Sequence, residues 1–223
     1  MNIIKELSRI NRQQQIRLAD LISAGTVETH VIRELAKQVH IQEKYPSHIA
    51  YVYLALEEKQ LEDSRIMKYI LSILEAENLG KGSNGITHSE LARRFAYAVG
   101  VTPEELANAT PTPANKALMD WCDVSAMERH WTDALAVQLA CESQVETMRQ
   151  IALGLKSRYH LREDDVQFWF VHGGPVEEQH RSDGLSLLHQ NVTTENLNNV
   201  LYSYEITCRF NKEFFDSFTG GLE

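Results

Sequence analysis

Apolar residues recur three and four apart along nearly the whole of this chain, and no stretch alternates apolar and polar residues convincingly enough for a strand. That period commits the chain to helices. Only five prolines and eleven glycines punctuate its 223 residues, which favours long helices over many short strands. The first helix runs from Met1 to Ile22 and ends at Ala24-Gly25; the second, capped by Thr26 or Thr29, reaches about His40. Lys44-Tyr45-Pro46 opens a third, through Ile49, Tyr51, Tyr53 and Leu54, and Asp63-Ser64 precedes a strong one from Ile66 to Leu79 that stops at Gly80. Thr87 caps the next, with Glu90 at the capping-box position. Thr102-Pro103-Glu104-Glu105 starts a short helix, Pro113 to Cys122 forms another, and the longest begins at Ser125 or Met127 and continues to about Tyr159. A broken helix covers Asp164 to Gln190, and Thr193-Thr194-Glu195 caps the last, which carries Leu197 through Phe218. The expected fold is all-α, a single domain over residues 1–223 built as a multi-helix bundle.

Charge narrows the functional classes. A net charge of -9 and the lack of any basic run argue against a nucleic-acid partner and against an anionic membrane surface. No apolar run has the length of a membrane span, and Met1 to Arg12 lacks the apolar core of a signal peptide. Cys122, Cys141 and Cys208 have no metal-site spacing, and an odd count fits free thiols in a reducing cytoplasm. Gly80-Lys81-Gly82-Ser83-Asn84-Gly85 has the composition of a phosphate-binding loop, but no strand precedes it and no Gly-Lys-Ser/Thr closes it.

The residues with chemistry gather around a costly sequence. Val171-His172-Gly173-Gly174-Pro175-Val176-Glu177-Glu178-Gln179-His180 interrupts a helical pattern with two glycines, about 1 kcal/mol each, and a proline, about 3 kcal/mol. Glu177 and His180 are three apart and share a helical face. His172 precedes Glu177 by five, which turns it away by about 140° in a regular helix. One wide turn, a π-bulge at Gly173-Gly174-Pro175, would bring it back to that face; the plainer reading is a kinked surface helix with solvated side chains. Glu142 lies among small apolar residues, where a buried charge needs a partner or an ion, or else it faces solvent. Glu75 and Glu77 end one helix and His88 opens the next across a short loop. His130 is a candidate for lining a substrate pocket or for a cap. Arg209 could pair a substrate carboxylate or form a surface ion pair. Cys141 is either a nucleophile or, more commonly, a buried structural thiol.

Several segments together resemble a known family. Tyr45-Pro46-Ser47-His48-Ile49-Ala50 is similar to an early helix of the haem-oxygenase-like dimetal oxidases, relatives of the pyrroloquinoline-quinone synthase and thiaminase II folds. Leu74-Glu75-Ala76-Glu77-Asn78-Leu79-Gly80 with His88-Ser89-Glu90-Leu91 resembles its first Glu and first His. Ala140-Cys141-Glu142-Ser143-Gln144 resembles the helix with its second Glu, and Tyr159 to Asp165 followed by Phe168 to His180 resembles its closing segment. The segments follow the family's order over nearly the whole chain. Two details depart from it: the acidic residue follows His172 by five rather than four, and it is Glu177 rather than Asp. The first Glu is ambiguous between Glu77 and Glu75, with Glu77 closer to His88.

The resemblance implies a haem-oxygenase-like bundle that binds metal through Glu77, His88, Glu142, His172, Glu177 and His180. It implies two irons per chain, with manganese as the other option, in keeping with imidazole and carboxylate donors. The implied activity is O2-dependent oxidation or oxygenation of a small amino-acid, amine or carboxylate metabolite, with an external electron donor and a homodimer. His130 and Arg209 are the expected substrate-binding residues. Two other readings compete. One is a cofactor-independent oxidase of the quinone-synthase type, and the other is a metal-free helical interaction protein on the same scaffold.

Overall fold

The computed structural model describes residues 3–44, 49–50, 52–53 and 64–220, and every regular element among them is helical. In order these are α1 (Ile3–Gln13), α2 (Arg17–Ala24), α3 (Thr29–Lys44), α4 (Ser64–Leu79), α5 (His88–Ala98), α6 (Pro103–Ala107), α7 (Pro113–Glu128), α8 (Trp131–Glu142) and α9 (Val145–Arg158). A 3-10 turn at Asp164–Val166 leads into α10 (Gln167–His172), then α11 (Pro175–Asn191), α12 (Leu197–Asp216) and a final 3-10 turn at Ser217–Thr219. The segment expected to open a helix at Tyr45-Pro46 and run through Tyr51 and Leu54 lies largely outside the described residues, as does Asp63.

α8 is the axis of the bundle. Every residue from Thr132 to Ala140 is buried, so this helix has no solvent face and must be surrounded. It separates two apolar cores. One gathers Ile22 of α2, Leu35 of α3, Phe95 of α5, Leu155 of α9, Trp169 of α10 and Phe214 of α12, with Val137 of α8 turned into it. The Phe95 and Trp169 rings meet edge to face at 5.5 Å between centroids. The other gathers Leu7 of α1, Ile70 and Ile73 of α4, Leu188 of α11 and Val200 of α12, with Leu135 and Leu139 of α8 turned into it. Among the described residues no helix is long and apolar enough to cross a membrane.

Several helix ends follow local chemistry. Gly25 closes α2 in the left-handed conformation at φ 75°. Thr87 accepts from the Glu90 amide at the start of α5, and Thr102 and Glu105 complete a reciprocal capping box on α6. Other boundaries correct the sequence expectation. The helix expected over Met1 to Ile22 is divided between Gln13 and Arg17. The one expected from Ser125 to Tyr159 is three elements. α7 runs unbroken from Pro113 to Glu128, His130 caps α8, and Ser143 ends it by donating its hydroxyl to the Leu139 carbonyl at 2.6 Å. α12 starts after Asn196 rather than at a Thr193 cap; Thr193 and Asn196 instead bond each other's backbone amides.

The break after His172 also differs from the expected π-bulge. α10 stops at His172, Gly174 is fully extended at φ -102° and ψ -178°, and Pro175 is the first residue of α11. Pro disfavours helical geometry in the residue before it and fits the first helical position, so two helices meet at a corner. Arg149 of α9 holds the corner by donating Nε and a terminal nitrogen to the Gly173 carbonyl, at 2.9 and 2.7 Å.

Candidate metal centre

The helix ends and the central helix bring seven ionisable side chains together in two groups. Glu43, Glu77, His88 and His172 form one, and Glu142, Glu177 and His180 form the other; within each group one nitrogen or oxygen per residue lies within 4.8 Å of all the others. Glu43 comes from the last turn of α3 and Glu77 from the last turn of α4. The loop after α4 reverses the chain through Gly80, whose φ is 67° and where an added Cβ would lie only 2.4 Å from the Gly85 backbone, so a side chain has no room. It delivers His88 to the first position of α5. His172 ends α10, Glu177 and His180 lie one turn apart on α11, and Glu142 ends α8. All six expected ligands are thus gathered, and Glu77 rather than Glu75 is the inward one. Glu75 is partly exposed and paired with Lys81.

The contacts within the groups leave donor atoms open. His88 is fully buried, and its Nδ1 lies 2.9 Å from Glu77 Oε2, yet neither ring nitrogen has a hydrogen-bond partner of acceptable geometry. Its ring meets that of His172 edge-on at 4.5 Å. His172 donates Nδ1–H to the Phe168 carbonyl at 2.9 Å, which fixes the tautomer and leaves Nε2 facing Glu43 Oε1 at 3.8 Å. His180 Nδ1 lies 3.7 Å from Glu142 Oε2 and 3.5 Å from Glu177 Oε2, again without a hydrogen bond. Gln138, one turn before Glu142, donates to Glu142 Oε1 at 2.6 Å.

Electrostatics describe a site short of positive charge. Burial, and then the Glu77 charge, raises the Glu43 carboxyl to about 8. Burial and the Glu142 charge do the same to Glu77, also to about 8. Glu177 is pushed up by burial and by Glu142. Glu142 alone is held down, to about 2; burial raises it, but the adjoining Glu177 and His180 side chains, the His180 charge and the Gln138 bond outweigh that. Burial lowers both His88 and His172. Among the described residues, the basic partners shown for the four carboxylates are imidazoles. Two divalent cations would balance four carboxylates, and open imidazole and carboxylate donors suit iron or manganese. The residues therefore fit a dimetal centre.

A pH effect follows for the metal-free protein. In the unfolded chain Glu43 and Glu77 ionise near 4.5, whereas in the fold they keep their protons to about 8. From about pH 6.5 to 8 the folded state binds more protons, so stability should fall, by up to about 1.4 kcal/mol per pH unit for each group. His88 and His172, lowered from 6.5, are neutral in the fold and half protonated in the unfolded chain at pH 6.5, so they oppose the fall only at the lower edge of that window, and Glu142 is ionised in both states. Urea unfolding after chelation should give a lower midpoint at pH 8 than at pH 6.5; a flat or rising profile would contradict the charge balance described.

A cavity of about 150 Å³ adjoins the groups, lined in part by Glu43, Glu77, Glu142, His172 and Glu177. The two expected substrate-binding residues are not among those lining it. His130 is exposed and caps α8, with its Nδ1 2.8 Å from the Thr132 hydroxyl. Arg209 is exposed and pairs with Glu205 one turn away at 2.6 Å. Cys141 does line the cavity, as does Cys122. Glu43 was missed in sequence. Its signal is register: Ile32, Leu35, Ala36 and Val39 form the buried stripe of α3, and Glu43 occupies the next position of that stripe.

Comparison with known proteins agrees with the fold. A 4-aminobenzoate synthase from Chlamydia trachomatis serovar D is 23% identical over 203 residues, covering 88% of this chain and 81% of that protein. A domain of unknown function with a heme oxygenase-like fold from Shewanella denitrificans OS217 superposes with a TM-score of 0.79 at 12% identity, covering 99% of this chain and 91% of the other. A TenA homologue from Pseudomonas syringae pv. tomato superposes with a TM-score of 0.73 at 11% identity, covering 97% and 90%. Residues 33–211 match the family described as iron-containing redox enzyme. The all-helical architecture is haem-oxygenase-like, and the chain belongs to the iron-containing redox enzyme family.

Proposed function

We propose that this protein is a non-haem dimetal oxidase or oxygenase that uses O2 to oxidise a small metabolite, with residues 1–223 acting as one domain. The observation that carries the reading is the pair of groups, one half-buried and one buried, of four carboxylates and three imidazoles, with open ring nitrogens and no lysine or arginine among the ion-pair partners shown for the described residues. Glu43, Glu77, His88 and His172 would hold one ion, and Glu142, Glu177 and His180 the other. Iron in this centre supplies the redox chemistry with O2 that side chains lack.

The chain's own residues do the rest. The Phe168 carbonyl orients His172, and Gln138 turns one oxygen of Glu142 aside, so both present a fixed atom to the centre. Phe168, Trp169 and Phe215 wall the cavity and keep bulk water from the oxidising site. The description of the family as an iron-containing redox enzyme supports an oxidative reading of this kind, and an external electron donor and a homodimer belong to the same proposal. A metal-free scaffold, whether a cofactor-independent oxidase or an interaction protein, would have to keep crowded carboxylates protonated, with only imidazoles beside them among the described residues. The thiaminase-type alternative rests on Cys141, which lines the cavity beside Cys122.

Anaerobic loading with ferrous iron tests the proposal. About two irons per chain and O2 uptake on air exposure are expected. No iron retained after desalting, with O2 uptake at the level of free iron, would remove it.

A further inference from the structure

We infer that the cavity beside the two groups is a subsite for a small uncharged molecule with an apolar body and a head that both donates and accepts a hydrogen bond, such as a primary carboxamide, held by Gln138 and Asn211. This deepens the dimetal reading by naming the class of molecule admitted beside it.

Gln138 of α8 is 2% exposed and Asn211 of α12 is 8% exposed, and both line the cavity. The Gln138 amide is locked by its Nε2 bond to Glu142 Oε1, so its Oε1 is left as an acceptor without a partner. Asn211 Nδ2 is a donor without a partner. Amide atoms buried this deeply are costly unless something bonds them, and both belong to the wall of one space. A single head that donates to Gln138 Oε1 and accepts from Asn211 Nδ2 satisfies the two at once.

The remaining walls set the body and the charge. Leu118, Phe168 and Phe215 give apolar surface, and a cavity of about 150 Å³ is the size that holds one benzene ring. Among the described residues no lysine or arginine lines the space, whereas Asp123 and the four glutamates do. In the metal-free protein a carboxylate entering here meets an acidic wall with no lysine or arginine among the described residues to pair it, which favours an uncharged occupant.

Calorimetric titration of the metal-free full chain with benzamide, benzoate and toluene tests the subsite. Benzamide should bind about tenfold or more tighter than either of the others. Asn211→Leu should weaken benzamide by about tenfold while leaving toluene within about twofold. Should that variant fail to fold by circular dichroism, Asn211→Asp keeps the size, removes the donor and should weaken benzamide by a similar factor. Equal affinity for benzamide and toluene, no binding of any of the three below about 10 mM, or benzamide affinity unchanged in both variants would overturn the inference. None of these measurements uses iron or O2. Iron uptake without benzamide selectivity sinks the subsite alone, and benzamide selectivity without iron uptake sinks the dimetal reading alone.

Discussion

Replacing His88 with alanine should lower iron from about two ions per chain to about one and cut O2 uptake by about 100-fold or more, while barely changing the melting temperature of the metal-free protein. The combination follows from how His88 is buried. Its ring is fully enclosed between Glu77 and His172, and both nitrogens lack hydrogen bonds. An imidazole kept from water without partners costs the fold about 1–3 kcal/mol. Deleting it relieves that cost but leaves a small cavity, at about 1–2 kcal/mol. The two effects oppose one another, so the metal-free variant should melt within a few degrees of the wild type. A histidine retained for packing would behave in the opposite way: the variant would melt far lower and bind iron as before. Metal analysis and a melting curve on the same preparation distinguish the two.

Gly173→Ala should destabilise the fold by about 3 kcal/mol, a fall of about 6–12 °C in melting temperature for a chain of this size. Gly173 has φ -94°, an ordinary value for any residue, so backbone strain is not the cause. Space is. A Cβ there would sit 2.6 Å from the Arg149 backbone nitrogen and 2.8 Å from its Cα, atoms of α9 that cannot rotate away. Relief requires α10 and α9 to separate, which breaks the two Arg149 bonds to the Gly173 carbonyl and shifts His172, the preceding residue. Iron retention should therefore fall along with stability. Gly85→Ala is the contrasting control, since a Cβ there meets nothing within 4 Å and only the positive φ of 78° opposes it, at about 1–2 kcal/mol. A Gly173→Ala protein that melts within about 2 °C of wild type would show that the corner is not packed as described.

Part of the candidate centre was legible because some of its residues sit beside helix ends that the sequence marks. Thr87 and Gly80 mark helix ends by their own chemistry, and they bracket the loop that carries His88 toward Glu77. Glu142 stood out as a carboxylate inside a helix that is apolar on every side. That same property hid the ends of α8: with no polar face there is no phase to lose, so the stops at His130 and Ser143 left no mark in the periodicity. Glu43 was hidden because a carboxylate in the last turn of α3 resembles any exposed helix end unless the buried stripe is followed one step further. The wrong geometry at Gly173-Gly174-Pro175 came from treating the spacing as one helix with a defect, although the residue before Pro175 is disfavoured in a helix. His130 and Arg209 were assigned from residue type alone, and Thr132 and Glu205, their neighbours in sequence, took them up. Long-range partners such as Gln138 and Asn211, on helices far apart in the chain, could not be paired without coordinates.

The most direct test is anomalous diffraction at the iron edge from crystals grown after anaerobic iron loading. The account predicts two peaks, one bounded by Glu43, Glu77, His88 and His172 and the other by Glu142, Glu177 and His180. Density in neither position, with the four carboxylates joined only to protein atoms and water, would contradict it.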